Sequence, residues 1–337
     1  MVNKSRFLCL AIETSCDDTC AAVVQNAKTI LSNVIASQDA IHAEYGGVFP
    51  EIAAREHIQN LLPVLEKALK EAGVSLQEID LFAATKGPGL INSLLTGLGT
   101  AKTLSLAMNK PLIGVNHIEA HLYPALLKNA TFPAIGAILS GGHTLFVLIE
   151  SIGVYKLIAS TVDDAIGEAF DKVAHLLGYP YPGGKTIEKL AAKGDASTHS
   201  FRAGYVKKSP LFFSFSGLKT AVRYQIPPHK NLTEKMQCDI AASFQKAAFA
   251  DIVQKLEKAQ NLYQASSFVF GGGVVQNQFF QKMCKETFTT VPCYFPEAKL
   301  STDNAAMIGL LGSLLWKQGK KDSLELKASS RLPFFLV

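Results

Sequence analysis

The chain has 337 residues, 48% of them hydrophobic and 18% charged, which excludes a disordered protein and leaves room for a large core in two domains or one large one. Its formal net charge of +5 allows a nucleic-acid partner without demanding one. No apolar run approaches the roughly 18 residues of a membrane helix. The run Phe7–Ile12 behind Lys4 and Arg6 is too short for a signal peptide and reads as a buried strand ended by Glu13. The six cysteines (Cys9, Cys16, Cys20, Cys238, Cys284 and Cys293) form no CxxC pair, so reduced thiols in a cytoplasmic protein are expected.

The first half opens with three predicted strands, Phe7–Ile12, Ala21–Gln25 and Ile30–Ala36, each short, apolar and bounded by turn residues. Helical spacing follows over Glu51–Lys70. Leu81–Thr85 reads as a strand, Leu90–Met108 as a helix, Leu112–Val115 as a strand and His117–Leu127 as a helix. The second half repeats the order, with strands Ala134–Leu139, Thr144–Ile149 and Tyr155–Ser160 and a helix over Asp164–Leu177. Beyond an irregular stretch come helix Lys235–Ala259, strand Phe268–Phe270, helix Asn277–Cys284, strand Cys293–Phe295 and helix Asn304–Trp316. Three strands and then alternating helix and strand, twice over, predict a duplicated α/β unit. The expected division is 1–130 and 131–337, with an insertion near 180–233. Ligands of such folds gather where strand ends meet helix N-termini, so the cleft between the halves is the expected site.

Three glycine loops follow predicted strands: Lys86–Gly89, Ser140–Thr144 and Gly271–Gly273. Glycine lets a backbone approach a ligand closely and turns amides toward an anion, although a glycine hairpin turn accounts for any one of them. His117 and His121, four apart on a helix, would share one face and reach one metal ion. Ile118 stands where a zinc peptidase needs its general-base Glu, so the pair argues for metal and against that chemistry. Ser301–Asn304 reads equally as a helix cap or as the source of a third ligand, Asp303. Two histidines with one carboxylate leave open positions and suit Fe(II), with Zn(II) the common substitute. Asp163 and Asp164 read as cap and first-turn residues of the next helix. Asp164, Glu168 and Asp171 fall on one stripe, and Asp171, too deep for a dipole role, is a candidate ribose acceptor.

Taken in order, the motifs resemble one family along nearly the whole chain. They are Ile12–Thr19, His42–Glu51, Gly87–Leu90, His117–His121, Ser140–Thr144, Gly167–Lys172, Tyr181–Gly184, Phe213–Thr220, Gly271–Asn277 and Ser301–Asn304. The chain is similar to the tRNA N6-adenosine threonylcarbamoyltransferases, formerly labelled glycoproteases. The resemblance implies the duplicated fold of actin, hexokinase and acetate kinase. It also implies transfer of threonylcarbamoyl from threonylcarbamoyl-AMP to the adenosine 3′ of the anticodon, in tRNAs reading codons that begin with A. By residue match His117, His121 and Asp303 bind the metal. Ile138, Leu139, Ser140, Gly141 and Gly142 line the donor site, and Asp171, Gly184, Glu188 and Asn277 complete it. Glu188 stands where relatives often have Asp, and Asn116 replaces a histidine found in some bacterial relatives, outside the ligand spacing. No side-chain nucleophile is expected, because the donor is already a mixed anhydride. The implied helpers are an inactive paralogue of TsaB type and a small ATPase of TsaE type.

Charge distribution adds one expectation. No acidic residue lies between Asp195 and Glu234, while Arg202, Lys207, Lys208, Lys219, Arg223 and Lys230 stand among six aromatic residues. This stretch is expected to dock tRNA, with Phe212, Phe213 and Phe215 as core residues and the lysines as merely solvated in the alternative reading. Two other activities compete with the transferase: a small-molecule phosphotransferase of the same fold, which needs no His-x-x-x-His set, and a silent nucleotide-binding scaffold, which would lack the metal ligands.

Overall fold

The computed structural model describes residues 6–207, 209–226 and 232–333. The chain forms two compact units, one from the chain up to Leu127 together with the segment from Lys299 onward, the other from Lys128–Ala298. The first unit begins with β1 (Leu8–Glu13), β2 (Asp18–Gln25) and β3 (Thr29–Ser37). Every residue of β1 is buried, as in a strand covered on both faces. A short α1 (Asp39–Ala43) precedes α2 (Pro50–Ala72). Pro50 sits in the first turn, where a missing N–H costs nothing, and Gly73 at φ 65 closes the helix. Then come β4 (Leu81–Gly87), α3 (Ile91–Met108), β5 (Leu112–Asn116), α4 (His117–Ala120) and α5 (Tyr123–Leu126). The sheet order is β3-β2-β1-β4-β5, antiparallel across the first three strands and parallel from β1 to β5.

The single helix expected over His117–Leu127 is two short ones. Pro124 lies inside the stretch and cannot donate the bond a continuous helix needs. Leu122 N instead bonds Glu119 O at 3.1 Å, and Pro124 falls in the first turn of α5.

The second unit contains β6 (Ala134–Leu139), β7 (Thr144–Ser151), β8 (Val154–Ser160), α6 (Ile166–Leu176), α7 (Gly184–Ala191) and α8 (Ser216–Gln225). It continues with α9 (Glu234–Tyr263), β9 (Ser267–Gly271), α10 (Gln278–Thr287) and β10 (Cys293–Tyr294). Its sheet runs β10-β9-β6-β7-β8, with β6, β7 and β8 antiparallel and β6, β9 and β10 parallel. Strand for strand, this is the order and sense of the first sheet, so the duplicated unit read from the sequence is present. The stretch at 180–233, expected to be irregular, carries two helices. Ile187, Leu190 and Ala191 of α7 and Leu218 and Val222 of α8 are buried at helical spacing.

The last helix, α11 (Ala305–Lys317), packs on β1, β2, β4 and β5 of the first unit. This corrects the expectation that the second unit extends to residue 337. Gly309 and Gly312 allow the close approach: an added Cβ would stand 2.7 Å from Val24 Cγ2 and 2.8 Å from Ala83 Cβ, respectively. Beyond α11 the chain stays on this unit. Asp322 N bonds Leu112 O at 3.2 Å, Gly114 N donates to Asp322 Oδ2 at 2.9 Å and Ser329 N bonds Lys86 O at 2.8 Å. Gly87, at φ +145, would place a Cβ 2.1 Å from Ser329 O. The Lys86–Gly89 loop, read in the sequence as one of three open to a ligand, has its own chain lying against it.

The α11 interface yields the first prediction. Gly312→Val should lower stability by roughly 1–3 kcal/mol, the usual cost of overpacking, measured as a fall in the denaturation midpoint.

Candidate metal centre and ligand loops

The sequence places His117 at the start of α4 because Asn116 caps it, its Oδ1 accepting from Ile118 N at 2.9 Å and Glu119 N at 3.2 Å. His121 is one turn on, and both rings are buried. Asp303 comes from the loop before α11. There Asn304 does the capping, accepting from Met307 N at 3.1 Å, so the Asp303 carboxylate is not the cap. His117 Nε2 and His121 Nε2 are 3.2 Å apart and stand 3.5 and 3.3 Å from Asp303 Oδ1. Ligands about 2.0–2.2 Å from one ion are about 3–3.5 Å from one another, so the three atoms fit a single small cation. His121 Nδ1 is buried and has no hydrogen-bond partner.

Glu13, which in the sequence reads only as the end of a strand, proves central. It is buried, and its Oε2 lies 3.0 Å from His117 Nδ1. Thr85 Oγ1 donates to the same oxygen, while Ser15 N donates to Oε1 at 2.5 Å. Ser15 Oγ lies 3.1 Å from His117 Nδ1. The signal was available: a lone carboxylate ending a wholly apolar strand requires partners. Burial opposes a charge on His117, but Asp303 and Glu13 outweigh it and raise the ring's pKa from 6.5 to about 9. Burial, followed by the charge of Asp303, lifts Asp18 to about 7. Cys16 is raised, first by burial and then by Asp17, and stays a thiol.

In the second unit, three loops meet at the C-terminal ends of β6 and β9. Ser140–His143 is a tight hairpin turn in which Ser140 N bonds His143 O at 2.8 Å and His143 N bonds Ser140 Oγ at 3.0 Å. Gly167, opening α6, would put a Cβ 2.6 Å from Ser140 O, and Gly272, at φ +93, would put one 2.3 Å from Leu139 O. Gly141 and Gly142 differ: an added Cβ at either meets nothing within 4 Å, and both are exposed. Ile138 and Leu139 are buried in β6 beneath the turn. Asp171 Oδ1 accepts from Gly183 N at 2.7 Å, holding the loop that leads into Gly184 and α7. Glu188 Oε1 accepts from Gln278 N at 2.7 Å. Asn277 caps α10 through Phe280 N at 3.1 Å and donates to Gln245 at 2.7 Å.

Asp163 and Asp164 are not caps of α6, whose N-cap is Ala165. Asp163 Oδ1 instead accepts from Phe215 N at 2.8 Å and Ser216 N at 3.3 Å, at the start of α8. Asp164 pairs with Lys172 at 2.7 Å and Lys219 at 2.9 Å, and Lys172 also pairs with Glu168 at 2.7 Å. The acid-free stretch therefore receives carboxylates from outside itself, and Lys219 is an ion-paired anchor. Phe201, Phe213 and Phe215 are buried, with Lys255 Nζ 4.6 Å over the Phe213 ring. Arg202, Lys207, Arg223, Tyr205 and Tyr224 are exposed. Lys208 and Lys230 lie outside the described residues.

The doubled sheet defines the class. The chain aligns with HypF of T. kodakarensis at TM-score 0.63 and 15% identity, over 93% of this chain and 48% of that one. It also aligns with the ROK hexokinase of Thermus thermophilus at TM-score 0.53 and 14% identity, over 92% and 100%. This is the α/β fold of the actin and hexokinase proteins. Within that class, a family model described as tRNA N6-adenosine threonylcarbamoyltransferase matches residues 29–310. A Protochlamydia amoebophila protein of that name is 51% identical over 336 residues, covering 97% of this chain and 98% of the relative. The chain belongs to the tRNA N6-adenosine threonylcarbamoyltransferase family and is a transferase that threonylcarbamoylates tRNA. No helix among the described residues is long and apolar enough to cross a membrane.

The coupling of His117 to its carboxylates predicts a pH response of the metal-free protein. A ring whose pKa rises from 6.5 to about 9 on folding adds stability that is complete below pH 6.5 and gone above about 9. The unfolding midpoint should fall across that interval, and His117→Gln should flatten the fall in a thermal scan.

Proposed function

We propose that the chain transfers threonylcarbamoyl from threonylcarbamoyl-AMP to the N6 amine of the adenosine 3′ of the anticodon, in tRNAs reading codons that begin with A. The observation that carries this reading is the convergence of His117, His121 and Asp303 within 3.2–3.5 Å of one another. A mixed anhydride needs a polarising centre and a positioned amine, with no covalent relay. Cys16 and Cys20, beside the centre, are held as thiols first by burial and are poor nucleophiles.

His117, His121 and Asp303 would hold a divalent metal, Fe(II) or Zn(II), which would supply Lewis-acid polarisation of the donor's carbamoyl or phosphate oxygens. Glu13 holds the proton on His117 Nδ1, which leaves Nε2 as the ligand atom. Gly141 and Gly142 offer bare backbone to the donor, and their amides stabilise the leaving AMP. Asp171 receives the ribose hydroxyls, and Ile138, Leu139, Ser140, Gly184, Glu188 and Asn277 complete the pocket. The amine nitrogen forms the new C–N bond as the bond from carbamoyl carbon to phosphate oxygen breaks. AMP leaves with the electron pair, and the amine's proton passes to solvent water. The inactive paralogue and the small ATPase are the partners proposed for this cycle, in the cytoplasm.

Incubating the chain with unmodified tRNA, threonylcarbamoyl-AMP and these partners should yield threonylcarbamoyladenosine in nucleoside mass spectrometry. Asp303→Ala should abolish the product and the bound metal together. Product from a metal-free variant would overturn the assignment.

The exposed cations Arg202, Lys207 and Arg223, with Lys208, form the proposed tRNA surface. The Asp163 and Asp164 contacts that pin α8 support it, because they hold the segment while leaving Arg202, Lys207 and Arg223 in solvent. Replacing Arg202, Lys207 and Arg223 with Ala should weaken tRNA binding. It should also reduce the slope of log affinity against log salt by roughly 0.7–0.9 for each phosphate no longer neutralised. An unchanged slope in a filter-binding titration of the assembled complex would return the segment to a purely structural role.

A further inference from the structure

The loop from Gln38 to Phe49 has no part in the roles above, yet it is built around one side chain. His42 is fully buried. Tyr45 N and Gly47 N donate to its carbonyl at 3.0 and 3.2 Å, and Phe49 N donates to its Nδ1 at 3.3 Å. Because Nδ1 accepts, the ring proton sits on Nε2, which donates to Gln38 Oε1 at 3.1 Å. Gln38 Nε2 in turn reaches Ala53 O in α2 at 3.4 Å. Gly46 at φ +72 and Gly47 at φ +155 reverse the chain, and an added Cβ at either meets nothing within 4 Å, so the bend and not packing requires glycine. The bend presents two rings to solvent. Tyr45 is 58% exposed and Phe49 46%, with centroids 5.8 Å apart and planes tilted by 39°.

Through α2 the same loop is tied to the metal centre. One turn beyond Ala53, His57 lies 3.0 Å from Cys16 O and 2.8 Å from Thr19 Oγ1, gripping the turn that carries Asp17 and Asp18. Cys20, just after that turn, reaches Asp303 O at 3.8 Å. Behind burial, the carboxylates of Asp303 and Asp39 both act on Asp17.

We infer that Tyr45 and Phe49 form the stacking face on which the acceptor adenine, flipped out of the anticodon loop, rests beside the metal centre. The inference rests on the transfer reading above. An amine inside a stacked loop cannot reach a carbamoyl carbon, and aromatic faces are what unstacked RNA bases find on proteins. Charge selects a base over a phosphate. Asp39 and Glu44, exposed on the loop that carries the pair, repel the backbone, while carboxylate oxygens accept from an exocyclic amine. The rings already touch each other, so the base lies on the outer face of the pair and not between them.

The test uses the full chain assembled with its two helper proteins and an anticodon stem-loop carrying 2-aminopurine at the acceptor position, whose fluorescence stacking quenches. Tyr45→Ala and Phe49→Ala should each raise the Kd for the stem-loop by roughly 5- to 150-fold, the range for removing one stacked aromatic ring, and abolish the quench. Tyr45→Phe and Phe49→Tyr should keep both, and all four variants should keep parental metal content and AMP affinity. Parental quenching in the alanine variants overturns the proposal. So does an unchanged Kd with loss of a helper protein on size exclusion, which makes the pair a protein contact. The two readings fail separately: quenching by the parent without transfer to unmodified tRNA sinks the reaction assignment and leaves the stacking face standing.

Discussion

A buried carboxylate is costly unless every oxygen is matched, and Glu13 is such a group at the end of the central strand of the first sheet. Its partners come from three separate places in the chain: Ser15 from the turn after β1, Thr85 from β4 and His117 from the start of α4. Satisfying Glu13 therefore fixes the register of β1 and β4 and the rotation of the His117 ring in one arrangement. His121 follows because it is one turn further along, and Asp303 follows because α11 packs across the same strands. The convergence of His117, His121 and Asp303 is a by-product of neutralising one acid in an apolar core.

Glycine serves two purposes here, and the geometry separates them. At Gly87, Gly167, Gly272 and Gly312 a Cβ would strike the protein itself, so these residues are required by the fold. At Gly141 and Gly142 nothing of the protein is near. Neither packing nor a positive φ requires glycine at these two positions. A glycine-rich loop in a sequence carries no mark of which kind it is, and for that reason Lys86–Gly89 reads there as a ligand loop.

The duplicated unit was legible because strand and helix periods are local and the same order recurs. The histidine pair was legible from spacing, and Asp303 only as one of two uses for a cap-like run. The structure adds that Asn304 takes the cap, a choice made by backbone geometry. Long-range partners stayed hidden. Nothing near Lys219 in the sequence announces Asp164, and nothing near the end of the chain announces that α11 belongs to the first sheet. The helices α7 and α8 were not legible because each is only two or three turns long between Gly- and Pro-bearing segments, too short for a period to stand out.

The return of α11 to the first unit has a consequence for biosynthesis. Residues 128–298 form a contiguous body that can close while the ribosome is still translating, whereas the first sheet waits with one face uncovered for a helix about 190 residues downstream of β5. Asp303, the third residue of the candidate set, emerges with that helix. Under the proposed metal assignment, charging would be a late event, after the chain is nearly finished, and nascent chains stalled short of Asp303 would carry two histidines but no centre. Metal content would then report on completed synthesis as well as on supply.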